Sequence, residues 1–153
     1  MSQRNTTTAA QESKETSALQ DQAISHSAGG GVLTDMAGSE IMKAWLVSFL
    51  VEWQGVCSEH HVLIRSYDSE LAEAGVMHMG RTWWRSEARE SDGCYWCFGL
   101  TNYVWFTTML PLTPSDSGVL TPLEFLDEWT VTGTPDVPEV CDGSGCRWEE
   151  IRD

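Results

Sequence analysis

The sequence predicts an α+β fold, a small antiparallel sheet of two hairpins plus one further strand, with one helix packed on a face. Three observations carry this expectation. Residues 45–66 alternate on either side of a Gln54-Gly55 turn. Residues 68–79 place apolar side chains at helical spacing behind a capping residue. Residues 102–109 are dominated by β-branched and aromatic types.

Trp45, Val47, Phe49, Val51 and Trp53 give the first strand an apolar odd face, and Val56 to Ser66 reads as the strand that returns. A two-residue turn sets Phe49 opposite His60, Val47 opposite Val62 and Trp45 opposite Ile64, so the apolar sets of both strands share one face. Asp68 or Ser69 caps a helix to about Met79, whose Leu71, Ala72, Gly75, Val76 and Met79 line one side. Glu70 and Glu73 suit its N-terminal turns. Trp83–Glu90 and Cys94–Phe98 read as a second hairpin about Ser91-Asp92-Gly93, and Asn102–Met109 as the further strand. Thr121-Pro122-Leu123-Glu124 has the grammar of a helix start, with Thr as cap and Pro at the first helical position, for a short helix ending near Trp129.

The organisation is tripartite. Residues 1–41 are rich in Ser, Thr, Gln, Ala and Gly and read as a disordered polar tail, with Gly29-Gly30-Gly31 as a hinge. Residues 42–129 form the α+β domain, and Met42 would serve as an internal start. Residues 130–153 form an acidic, Pro- and Gly-punctuated C-terminal extension.

Charge limits the function classes. The 153 residues include 9 Lys and Arg against 23 Asp and Glu, a net charge of −14. Such a chain repels phosphate backbones and anionic membranes, which points to a protein partner with a basic surface and to no direct nucleic acid contact. No window approaches the roughly eighteen apolar residues of a membrane span. The N-terminus lacks the apolar core of a secretory signal, and five cysteines, an odd number, fit reduced thiols; a cytoplasmic location is expected. The eight tryptophans read as core ballast in a chain short of leucine and isoleucine, ahead of a stacking platform for bases or sugars.

Candidate chemistry is sparse. Cys94 and Cys97, with Cys141 and Cys146 as a second pair, could supply four thiolates to a zinc ion. If Cys94–Phe98 is a strand, however, Cys94 and Cys97 point to opposite faces, and the zinc-binding regulatory module is the secondary reading. Cys57, His60 and His61 form a local thiol and imidazole cluster, but no third orienting group accompanies them. No phosphate-cradling glycine loop, His-Glu-x-x-His or Gly-x-Ser-x-Gly occurs, so neither an enzyme nor a cofactor is expected.

The remaining signal is acidic. Residues 111–153 carry 10 acids against 2 bases, or −8 of the total −14. The primary reading is a non-enzymatic interaction protein, an inhibitor or regulator of a nucleic-acid-handling protein, whose carboxylates mimic a nucleic acid backbone in the manner of anti-restriction and anti-CRISPR proteins. Its partner-binding residues are then Asp136, Glu139, Asp142, Glu149 and Glu150, with Trp129 and Trp148 as anchors among the charges.

Overall fold

The computed structural model describes residues 41–151; the expected polar tail lies outside the described residues apart from Ile41. In chain order the elements are β1 (Lys43–Trp53), β2 (Val56–Ser66), α1 (Ser69–Arg81), β3 (Glu90–Ser91), β4 (Tyr95–Phe98), β5 (Asn102–Leu112), α2 (Pro114–Leu120), β6 (Asp127–Thr134), β7 (Val137–Cys141) and α3 (Trp148–Ile151).

The first hairpin has the expected register, with Trp45 opposite Ile64, Val47 opposite Val62 and Phe49 opposite His60. Its turn needs two residues at positive φ, and Gln54 (φ 53°) and Gly55 (φ 80°) supply them. The helix α1 begins where its cap predicts: the Asp68 side chain accepts from the Leu71 amide at 2.8 Å. Leu71, Ala72, Gly75, Val76 and Met79 are buried, and so is Gly80, one residue beyond the expected face.

The expected small antiparallel sheet with one packed helix is corrected. The protein is mostly sheet, a curled half-barrel of seven strands in the order β3-β4-β5-β1-β2-β6-β7. It is mixed, because β6 runs parallel to β2, with Val62 beside Asp127 and Ile64 beside Trp129. The segment read as an acidic extension, residues 130–153, therefore supplies most of β6 and all of β7, and its Val131, Val140 and Trp148 are core residues. Curling brings β4 and β7, from opposite halves of the sheet, against α1.

The expected helix over residues 121–129 does not form. The same grammar occurs eight residues earlier, where Thr113 caps Pro114–Leu120 and forms a reciprocal capping box with Asp116. Thr121 then closes α2, and Pro122, which has no amide hydrogen, cannot prolong it. The second hairpin is shorter than expected: only Glu90–Ser91 pairs with β4, and residues 83–89 are irregular. The further strand extends past Met109 to Leu112, through Pro111, whose ring is exposed.

The core lies between α1 and the concave face of the sheet. Trp83 packs on Phe49 (ring centroids 5.3 Å apart) and on Trp148 (5.1 Å), which in turn meets Trp129 edge-on at 5.0 Å. Trp45, Trp83, Trp96, Trp129 and Trp148 are buried, as the ballast reading implies. Among the described residues no helix is long and apolar enough to cross a membrane.

Candidate functional site

The surface around Trp84 is concave. The residues after α1 do not continue as a strand; Trp83 turns into the core, and Trp84 stays half-buried, edge-on to Phe98 at 4.9 Å. Two recesses flank the Trp84 ring. The larger, about 720 Å³ and thus of ligand-site size, is lined by Arg81, Arg85, Ser86, Ala88, Glu149 and Glu150 among others. The smaller, about 450 Å³, has walls from Val51, Trp53, Trp83 and Ile151, a volume also within that range.

The smaller recess opens at one end of the sheet, where the β1–β2 and β4–β5 turns meet. The Gln54 amide donates to Asn102 Oδ1 at 3.3 Å, tying the two turns together. Strand alternation carries Trp53 onto the same face as the core residues, but it lies past the last covering side chain and is 58% exposed. Val56, Leu100 and Ile151 are exposed with it. Four large apolar side chains concentrated at one end of an acidic protein are an unusual use of surface.

The wall carrying Glu149 and Glu150 is pinned from several sides. Trp148 donates its indole N–H to the Met79 carbonyl at 3.1 Å, satisfying an acceptor near the C-terminal end of α1. His78 hydrogen-bonds Glu149 through Nε2, and Arg81 approaches His78 Nδ1 at 3.4 Å. Arg85 donates to the carbonyls of Glu149 and Glu150, each at 2.9 Å. Partial burial pushes the Glu149 carboxyl up, yet hydrogen bonds from its own backbone and from His78 outweigh this and hold it below the usual range.

The residues expected to bind a partner are thereby divided. Glu149 and Glu150 reach the Trp84 cleft. Asp136 is exposed at the β6–β7 turn, and Glu139 is exposed on the edge strand β7, 3.9 Å from Arg147. Asp142 accepts from the Ser144 amide, the Ser144 hydroxyl and the Cys146 amide at 2.8–2.9 Å, organising the loop before α3. These hydrogen bonds, led by that from the Ser144 side chain, hold its carboxyl below the usual range. Trp129 (2% exposed) and Trp148 (0%) are interior, so neither can anchor a partner as the sequence suggested.

The four cysteines considered for zinc do not converge. Cys94 and Cys97 belong to the β4 region and Cys141 and Cys146 to the end of β7, with β5, β1, β2 and β6 between them. Cys97 lies on the face opposite the buried Trp96 and Phe98, and Cys94 is exposed just before the strand. Burial and a hydrogen bond to Glu150 push the Cys146 thiol up, away from the thiolate a metal needs. Among the described residues no group of three or more His, Cys, Asp and Glu is placed to hold a metal ion.

The cluster of Cys57, His60 and His61 is likewise dispersed. His60 meets Trp83 edge-on at 5.4 Å and Ser58 at 3.0 Å, whereas His61 hydrogen-bonds Ser48 across the hairpin at 2.7 Å. Two signals for the cleft were present in the sequence but unread. Two of the nine basic residues, Arg81 and Arg85, fall within five positions, and Trp53 ends its alternating run at a turn. No protein-family model, curated protein or solved structure matches this chain.

Proposed function

We propose that this is a non-enzymatic, acidic interaction protein that acts in the cytoplasm on a protein partner with a basic surface. The observation that carries the reading is the exposed apolar end of the sheet, where Trp53 overhangs an aromatic-walled recess in a chain of net charge −14. An aromatic anchor beside a pocket is what protein interfaces use to hold, and long-range charge is what they use to attract. The anchor moves from Trp129 and Trp148 to Trp53 and Trp84. Mimicry of a nucleic acid backbone is the narrower form of the same reading, with the partner's groove lined by Lys and Arg. The acids suited to it are those least engaged within the fold, among them Asp136 at its exposed turn; Glu128 instead pairs with Arg65, and Glu149 hydrogen-bonds His78.

The test compares wild type with Trp53→Ala, immobilised side by side, for retention of partners from a cell extract. A specific partner should be retained by wild type alone, released as salt rises, and displaced by duplex DNA if its groove binds nucleic acid. Binding indifferent to both salt and Trp53→Ala would refute the reading.

A further inference from the structure

We propose that the larger recess beside Trp84 is a binding site for a small organic carboxylate with an aromatic or apolar body, with Arg81 as its principal partner. The two halves of such a ligand match two halves of the cleft. Trp84 and Ala88 supply an apolar wall. Arg81 is exposed at the last position of α1, and its contact within the described residues is one long approach, 3.4 Å, to a single ring nitrogen of His78. A guanidinium carries five N–H donors, so the one approach to His78 leaves most of them unengaged on a residue that lines the cleft. Ser86 and Ser91 add hydroxyls to the lining.

Glu87, Glu149 and Glu150 also line this recess, and two of the three are engaged within its wall. Glu149 is held by His78. A Glu150 oxygen accepts from the Cys146 thiol and from the Arg147 amide at 3.5 and 3.3 Å. Both residues turn backbone carbonyls to Arg85, whose guanidinium plane is thereby fixed in place. Glu87 is exposed at the rim. The acids thus serve as scaffold on one wall, while Arg81 remains the least engaged strong donor. A planar carboxylate accepts from a guanidinium through two parallel hydrogen bonds, a match that an ammonium or a neutral alcohol cannot make. The repulsive field of the whole chain makes the compact single charge of a carboxylate a better fit than a polyphosphate.

Ligand binding beside Trp84 does not require partner docking at Trp53, and the full chain is used to test it. Binding of 2-naphthoate is measured by calorimetry and by ligand-observed NMR, beside 2-naphthalenemethanol and 2-naphthylmethylammonium as neutral and cationic analogues. Naphthoate should bind at least about tenfold more tightly than either analogue, as one charge-assisted bidentate pair allows. Arg81→Gln should weaken naphthoate binding about tenfold, and Arg81→Lys should recover only part of the loss because the fork geometry is gone. Arg89→Gln, an equal change of charge outside the cleft, should stay within about twofold. Tighter binding of the cationic analogue, equal loss from the two glutamine variants, or no naphthoate binding at millimolar concentration would each overturn the assignment.

Discussion

Gly80→Ala sets helix propensity directly against packing. Within a helix, alanine for glycine gains up to about 1 kcal/mol, and Gly80 lies one residue before the end of α1, where the gain is smaller. The methyl group, however, would overlap the Trp96 indole at Cζ3, Cη2 and Cε3, the last at 2.6 Å, well inside the 3.0 Å that Cβ contacts essentially never breach. All three atoms belong to one rigid ring. Trp96 is 3% exposed and sits on β4 opposite Val104, so it can move only by shifting a strand or leaving its rotamer. Overpacking of this kind costs about 1–3 kcal/mol, which exceeds the propensity gain. The expected result is a net loss of about 1–2 kcal/mol, read from urea unfolding of the full chain by far-ultraviolet circular dichroism. Trp96→Leu in the alanine background removes the clash, so the double variant should be more stable than the sum of the single changes by about 1 kcal/mol. A Gly80→Ala protein more stable than wild type, with additive energies in the cycle, would refute the close approach of α1 to β4.

Three further perturbations follow from the same packing. Trp148→Phe deletes the hydrogen bond to the Met79 carbonyl and should cost about 1 kcal/mol more than Trp129→Phe, since among the described residues the Trp129 indole N–H has no acceptor; equal losses in urea titrations would count against this. Phe49→Ala should cost about 3–5 kcal/mol, against a few tenths for Glu52→Ala on the opposite face, and equal effects would sink the hairpin register. The Asp142 carboxyl is depressed, so its support of the loop is complete above its unfolded pKa and disappears as pH falls through its lower folded value. Hydrogen exchange at the Ser144 and Cys146 amides, corrected for intrinsic rates, should accelerate across that acidic window, and Asp142→Asn should abolish the dependence; protection independent of pH in wild type would remove the carboxylate from the loop's support.

The sequence by itself determined the elements whose causes are local. Alternation over residues 45–66, joined to a turn that needs two residues at positive φ, leaves one register that keeps both apolar sets together, and the hairpin has it. Asp68 and the apolar spacing after it determined where α1 starts and which face it buries. The surplus of carboxylates, and with it the expectation of a basic partner, is likewise a property of composition alone. Only the tertiary structure decided what residues 113–148 do. Thr113-Pro114-Ser115-Asp116 and Thr121-Pro122-Leu123-Glu124 have equivalent capping grammar, and the choice fell to the segment that lets Asp127–Thr134 reach β2 as a parallel strand. That pairing joins residues more than sixty positions apart, so no window of sequence contains its stabilising contacts. Once β6 and β7 are in the sheet, Trp129 and Trp148 must face α1 and cannot serve as anchors. The candidate site was hidden for the same reason. Arg81, Trp84, Glu149 and Trp53 come from three separated stretches of chain, and only the curl of the sheet around α1 brings them to one end of the fold, because neither hydrophobic periodicity nor charge counting carries information about which ends of the strands stay uncovered.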